Sequence, residues 1–109
     1  MSAPENTVRL VGKISRLSPV KYTPSGVAVR EATLAVPQSS LGKTSVGYHE
    51  VFFAGDLAEL HTQKFRIGSR VDVTGTLWSR EFRNRRGDKV NETKVIVSEA
   101  ALLPAKGSA

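Results

Sequence analysis

The sequence predicts an all-β domain of five strands with one short helix between the third and fourth strands. Apolar and polar residues alternate with a period of two in short segments, which is typical of strands that bury one face. Residues that favour turns, chiefly Gly, Pro, Ser and Asn, separate these segments. A five-stranded sheet this short leaves unpaired edges unless it closes on itself, so we expect a Greek-key barrel of the OB-fold type. A β-barrel of another topology is the alternative.

Each predicted strand has apolar residues at every second position on the face that we expect to point inwards. These residues are Val8, Leu10 and Ile14 in the first strand, Ala32, Leu34 and Val36 in the second, Val51 and Phe53 in the third, Val71, Val73 and Leu77 in the fourth, and Val95 and Val97 in the fifth. The strands are predicted over residues 8–15, 27–36, 48–54, 70–79 and 91–103.

Residues that favour turns or interrupt strands determine where the connections between these strands lie. Pro37 is expected to end the second strand, and the Ser-, Gly-, Lys- and Thr-rich stretch 38–47 is expected to be a flexible hairpin loop. Gly75 interrupts the inward row of the fourth strand, which predicts a bulge or a sharp bend.

The one predicted helix covers about residues 57–65. Asp56 precedes it as a potential N-cap, and Glu59 follows three residues later, as in a capping box. Leu57, Leu60 and, at the next turn, Lys64 and Phe65 would form its short apolar stripe.

Length, charge and composition narrow the function. The 109 residues suit one domain, for which we predict residues 6–103, with a flexible leader over 1–5 and a flexible tail over 104–109. The net charge of +6 and the pI near 10.1 indicate an acidic partner such as nucleic acid. The sequence has no cysteine, no apolar run of about 20 residues and no signal-peptide pattern, which favours the cytoplasm and argues against a membrane partner.

The segment 80–89 is the strongest functional signal in the sequence. Five cations and two acids give it a net charge of +3, half of the charge of the whole chain. The period of an extended segment places Trp78, Arg80 and Phe82 on one side. Cations attract phosphates and exposed rings stack on unpaired bases, so we predict a nucleic-acid-binding loop between the fourth and fifth strands. Its candidate binding residues are Trp78, Arg80, Phe82, Arg83, Arg85, Arg86 and Lys89.

Three further candidates lie elsewhere in the sequence. Tyr48 falls on the polar-phase face of the third strand together with Phe52, where it stacks on a base, packs under a loop or lies at a subunit interface. Lys13 and Lys21 lie around the first strand and its turn, where they extend the electrostatic track or are ordinary surface charges.

The sequence contains parts of two motifs found in enzymes, but neither motif is complete. Gly42-Lys43-Thr44 has the end of a phosphate-binding loop, but Pro37 stands where that motif requires its first glycine. His49 and His61 have no paired carboxylate at the spacing of metal ligands. We therefore expect no enzymatic activity, no cofactor and no metal ion.

Six blocks, quoted in chain order, resemble the bacterial single-stranded DNA-binding protein family. They include the turn Tyr22-Thr23-Pro24-Ser25-Gly26 and cover residues 6–12, 21–29, 33–36, 48–59, 68–77 and 93–97. The resemblance implies an OB fold, binding of single-stranded DNA and assembly into a homodimer or homotetramer. It also implies a cytoplasmic, nucleoid-associated protein that interacts with replication or primosome proteins.

Two branches of that family fit the sequence. One is the general, tetrameric single-strand binding protein, whose acidic tail tip recruits partners. The other is primosomal replication protein N, a short homodimer that binds mainly through a basic loop; the length and the basic loop favour this branch, and an acidic tip is not expected. Tyr48 and Phe82 stand where the family has tryptophans, and Ala54 replaces a stacking phenylalanine, so we expect weaker wrapping and more dependence on cations.

The predicted function is sequence-tolerant binding of single-stranded DNA in replication or replication restart. Two alternatives remain open at this point: a protein-interaction module of a replication complex, and an RNA-binding barrel.

Overall fold

The computed structural model describes residues 5–104, within which the chain forms six strands and one short π-helical segment. In chain order these are β1 (Val8–Leu17), β2 (Lys21–Tyr22), β3 (Ala28–Ser40), β4 (Lys43–Ala54), the helix (Leu57–His61), β5 (Arg70–Arg83) and β6 (Lys89–Leu102). The strand β2 has two residues and pairs only with the start of β3.

The five long strands close into the predicted OB barrel. Their order is β1-β5-β6-β4-β3, and β3 pairs with β1 to complete the ring. All neighbours are antiparallel except β4 and β6, which run parallel with Val51 opposite Val95 and Phe52 opposite Ile96. The helix lies between β4 and β5, the third and fourth of the long strands, as predicted.

Most of the alternate residues that the sequence pattern selected fill the interior of the barrel, and Val8, Leu10 and Val36 are partly buried against it. Leu34, Val71 and Val73 are completely buried, and Ile14, Val51 and Phe53 nearly so. Phe65, which follows the helix, packs edge-on against Phe53 with the ring centroids 5.9 Å apart. The helix itself contributes Ala58, which is also completely buried.

Gly75 lies at the predicted bulge. The pairing of β5 with β6 shifts between Thr74, which lies opposite Glu99, and Gly75, which lies opposite Val97, so Ser98 is the extra residue. A Cβ atom on Gly75 would overlap the carbonyl oxygen of Ile96 and lie 2.9 Å from the Cα of Val97. The two backbones therefore approach too closely for any side chain.

Gly75→Ala is expected to destabilise the domain by about 1–3 kcal/mol, because the added methyl group meets rigid backbone atoms. Urea denaturation of the variant and of Thr76→Ala, an exposed neighbour on the same strand, measures the effect. We expect the Thr76 variant to stay within about 0.5 kcal/mol of the parent. Equal stabilities for the two variants would contradict the close approach.

The prediction of a flexible loop over residues 38–47 is wrong. The strands β3 and β4 keep an unbroken register from Val29–Ala54 to Ser40–Lys43 and turn through Leu41 and Gly42 alone. Both turn residues have positive φ, 52° and 76°, which matches a two-residue hairpin. The pairing of β3 with β4, which begins in the barrel, thus continues through the polar residues 38–47.

Pro37 does not end β3, because it lies on an edge of the sheet. The pairing of β1 with β3 stops at Lys13–Ala35, so β3 beyond that point has β4 as its only strand neighbour in the part of the chain described. A proline, which lacks an N–H group, is tolerated on such an edge.

The helix is shorter than predicted and has no capping box. Asp56 has helical dihedral angles and makes no hydrogen bond as a cap. Glu59 instead lies with its carboxylate 3.4 Å from the hydroxyl of Tyr22. The Thr62 hydroxyl donates to the carbonyl of Ala58 at 2.7 Å and ends the helix. The predicted stripe is also wrong in part, since Leu60 is exposed.

The prediction that residues 80–89 form a loop also needs correction, because most of them belong to a strand hairpin. Arg83 is the last residue of β5 and Lys89 the first of β6, so only residues 84–88 form the turn. This two-stranded extension of β5 and β6, from Leu77 to Val95 through the turn, is called the arm below. Leu77, predicted to point into the core, is half exposed because it lies where the arm leaves the barrel.

The predicted leader and tail lie outside the described residues, apart from Glu5 and Pro104.

Candidate nucleic-acid interface

The arm has two chemically different faces because its residues alternate sides. The register places Trp78 opposite Lys94, Arg80 opposite Glu92 and Phe82 opposite Val90 on one face. Glu81, Arg83 and Lys89 alternate with them and therefore lie on the other face. Rings are thus concentrated on a single side of the arm.

The ring-bearing face forms a continuous series of aromatic rings and cations. The Nζ atom of Lys94 lies 4.8 Å from the ring centre of Phe52 and 5.0 Å from that of Trp78. The guanidinium carbon of Arg80 lies 5.8 Å from the Trp78 ring and 4.7 Å from the Phe82 ring. We call Phe52, Lys94, Trp78, Arg80 and Phe82 the ring–cation row. At these distances each cation is attracted to the ring faces, which orders the long side chains.

The structure confirms that Trp78, Arg80 and Phe82 share one side, and it adds Phe52 and Lys94. Trp78 and Phe82 keep 38% and 36% of their surface exposed, enough for contact with a ligand. The sequence pattern placed Phe52 on this side of β4 but gave no reason to choose Lys94. Their contact depends on the parallel pairing of β4 with β6, which joins residues far apart in the chain.

The other basic residues of the arm are not in the row. The Arg83 guanidinium donates to the carbonyl of Gly87 at 2.8 Å, and Lys89 pairs with Glu81 at 2.9 Å on the opposite face. Arg85 and Arg86 lie in the turn, and both are exposed. The five predicted phosphate-binding cations are therefore spread over the row, the turn and the opposite face.

Asn84 fixes the backbone of this turn. Its side-chain oxygen accepts hydrogen bonds from the N–H groups of Arg86 and Asp88, at 2.9 and 3.0 Å. Its own N–H donates to the carbonyl of Asp88, and Gly87 donates to the carbonyl of Asn84. The turn therefore has a defined shape that presents Arg85 and Arg86 at the end of the arm.

Tyr48 lies near the row but is not part of it. It is 67% exposed on the outer side of β4, the side that also carries Phe52. A shallow depression lined by Tyr48, Glu50, Leu77 and Lys94, among others, connects it to the row. Tyr48 is thus positioned to contact a ligand that follows the row.

Lys13 and Lys21 are exposed on strands further round the barrel. Lys13 lies opposite Ala35, which in turn lies opposite Tyr48. Lys21 lies opposite Val29 at the start of β3. Neither lysine contacts the row, and both lie on the side of the sheet to which Tyr48 points.

Comparison with known proteins identifies the family. The chain matches the single-strand binding protein family over residues 5–103. This chain belongs to that family. Two relatives, each named single-stranded DNA-binding protein, come from Streptococcus pneumoniae strains TIGR4 and R6. Each is 33% identical over 104 residues, which is 93% of this chain and 67% of the relative.

A solved structure of a family member supports the fold assignment. The Plasmodium falciparum SSB in complex with ssDNA superimposes with a TM-score of 0.82 at 21% sequence identity. The match covers 95% of this chain and 99% of the other. The resemblance inferred from the six sequence blocks is therefore confirmed at the level of family and fold.

Three charged groups in the described part of the chain have clearly shifted pKa values, raised for Arg9 by its hydrogen bond to Asp72 and lowered for Asp72 and Arg30, and all three lie away from the row. A hydrogen bond from Arg9 lowers the pKa of the Asp72 carboxyl and keeps it ionised. Burial, with a contribution from Arg66, lowers the pKa of Arg30. The Arg30 side chain donates to the carbonyls of Ser18 and Thr62 and so holds the end of the helix against β3.

The described residues contain no cluster of three or more His, Asp or Glu side chains that could hold a metal ion. No helix between residues 5 and 104 is long and apolar enough to cross a membrane.

Proposed function

We propose that this chain binds single-stranded DNA with little dependence on base sequence, as part of DNA replication. The observation that carries the proposal is the ring–cation row on an exposed sheet face. Membership of the single-strand binding protein family and the names of the S. pneumoniae relatives support it. It acts by binding and not as an enzyme.

The chemistry of the row favours unpaired strands. Stacking on an exposed ring requires a base whose face is free, which a duplex does not offer except at its ends. Such stacking contributes about 1–3 kcal/mol per base and accepts every base, because all four have a flat aromatic face. Rings at Trp78, Phe82 and Phe52 therefore give affinity without reading sequence. Tyr48 would add a further stacking surface beside them.

The cations supply the second part of the affinity by neutralising phosphates. Arg85 and Arg86 extend from the ordered turn, Arg80 lies in the row, and Arg83 and Lys89 add positive charge to the reverse of the arm. Lys13 and Lys21 extend the positive surface beyond Tyr48. Each phosphate neutralised on a single strand contributes about −0.7 to the slope of log K against log salt.

The double substitution Arg85→Ala/Arg86→Ala is expected to weaken oligo-dT binding and to flatten that slope by about 1.4, the contribution of two phosphates. Anisotropy of a labelled oligomer across a salt series gives both quantities. Lys64→Ala/Arg66→Ala removes the same charge at exposed positions beyond the helix and serves as the matched control. An unchanged slope in the turn variant would rule out phosphate contacts there.

Two other functions predict different results when oligomers are added to the protein. A protein-interaction module would leave Trp78 fluorescence unchanged when dT oligomers are added at low salt. An RNA-binding barrel would bind an RNA oligomer as well as or better than DNA in competition. We expect quenching by DNA and a preference for it.

We further propose that the protein works as a homodimer or homotetramer in the bacterial cytoplasm, near the nucleoid and replication or primosome proteins. The first half of β1 supports an assembly of copies. Residues 8–11 pair with β5 on one side only, and β3, which lies against Gly12, has no strand pairing with their other edge in the described chain. A free strand edge is suited to pairing with a second copy. Light scattering distinguishes the two assemblies.

A further inference from the structure

An acidic side chain, Glu92, lies next to the cations of the ring–cation row. Glu92 lies opposite Arg80 in the register of β5 and β6 and on the same face. One of its carboxylate oxygens, Oε1, is 3.3 Å from the Nε of Arg80 and 3.9 Å from the Nζ of Lys94. A single carboxylate thus pairs with both cations of the row.

The two ion pairs are partly open to water. The side chain of Arg80 is 54% exposed, that of Glu92 34% and that of Lys94 22%, so the pair with Arg80 is the more accessible one. Exposed pairs of this kind contribute only about 0–1 kcal/mol and can be replaced by another anion. A DNA phosphate that approaches the two cations is such an anion, and it carries the same charge as the carboxylate.

We propose that Glu92 is an affinity-determining residue that competes with the DNA phosphate for Arg80 and Lys94. This inference rests on the proposed function and deepens it. When the strand binds, its phosphate replaces the carboxylate, and the freed carboxylate then stays close to the phosphate and repels it. The row therefore gains less from charge than its two cations would give alone, and it depends more on base stacking.

The arm supplies a matched comparison. Glu81 lies on the reverse face and pairs with Lys89 at 2.9 Å, at a side-chain exposure of 53%. Glu92→Gln and Glu81→Gln change the net charge of the protein equally, in the same hairpin, but only the first frees the cations of the row. Any general effect of net charge appears in both variants.

Oligo-dT affinity of the parent, Glu92→Gln and Glu81→Gln, measured across a salt series, tests the inference. For Glu92→Gln we expect affinity to rise about fivefold at low salt. Its salt slope should steepen by about 0.7, because one more phosphate is effectively neutralised. For Glu81→Gln we expect less than about a twofold change. Thermal unfolding of each variant verifies folding, and Glu92→Ser repeats the test with a shorter side chain.

Three results would overturn the inference. Weaker binding by Glu92→Gln would show that the carboxylate positions the cations productively. Unchanged binding would show that no phosphate reaches them. An equal gain in Glu81→Gln would assign the effect to net charge or to the release of Lys89, and not to the cations of the row. Failure of the parent protein to bind oligo-dT is a separate outcome, which rejects the proposed function itself.

Discussion

Replacing Trp78 and Phe82 together with alanine is expected to weaken oligo-dT binding by about 2–6 kcal/mol, which corresponds to a loss of about 30-fold or more. The two rings lie on the same face of the arm, and each has more than a third of its surface open to a ligand. Their removal also takes away the ring faces against which Arg80 packs. Because Trp78 is itself removed, anisotropy of a labelled oligomer is the suitable measurement.

Tyr22→Ala provides the control for this loss. Tyr22 is an aromatic residue with 61% exposure, but it lies on β2 beside the helix, where its hydroxyl approaches Glu59. We expect its removal to leave DNA affinity nearly unchanged. Equal effects of the two variants would contradict the assignment of the ring–cation row as the stacking surface.

Phe53→Ala is expected to cost about 3–5 kcal/mol of folding free energy, the range for removing a buried aromatic ring. Phe53 is 1% exposed in the centre of the barrel and packs edge-on against Phe65. A domain of this size has a total stability of about 5–15 kcal/mol, so the variant should lose a large fraction of it. Urea denaturation followed by circular dichroism measures the difference.

The loss of folding free energy in Phe53→Ala should result from the burial of that ring and not simply from the removal of a phenylalanine. Phe82→Ala removes the same atoms from an exposed position, and we expect it to change stability by no more than about 0.5 kcal/mol. Phe53→Ala therefore tests the contribution of a ring to folding, and Phe82→Ala tests its contribution to DNA binding. A cost below about 1 kcal/mol for Phe53→Ala would mean that the barrel interior is not packed as described.

The barrel could be predicted from the sequence because its causes are local. A period of two selects the buried side of each strand, and Val51 and Phe53 lie where this period places them. Gly75 signalled a bulge because a strand interior tolerates glycine chiefly where two backbones approach closely. The row of Trp78, Arg80 and Phe82 followed from the same period along a single strand.

The parts that could not be predicted depend on contacts between distant segments. Lys94 meets Phe52 only because β4 and β6 pair in parallel, and no local pattern encodes that register. The lengths of the two hairpins depend on pairing that continues from the barrel into polar sequence, against the local composition. The cap expected at Asp56 is absent because Asp56 itself has helical dihedral angles and the N–H of Glu59, which a capping side chain would bind, donates instead to the carbonyl of Gly55.

The hydrogen bonds of Asn84 have a consequence for the entropy of DNA binding. Ordering the backbone of a flexible loop costs about 1–2 kcal/mol per residue, so a disordered five-residue loop would lose much of its binding energy on contact with a strand. In this protein the turn over residues 84–88 is held in shape before any ligand arrives. The entropic cost at the tip is then limited to the side chains of Arg85 and Arg86, and the free energy of their phosphate contacts is retained as affinity.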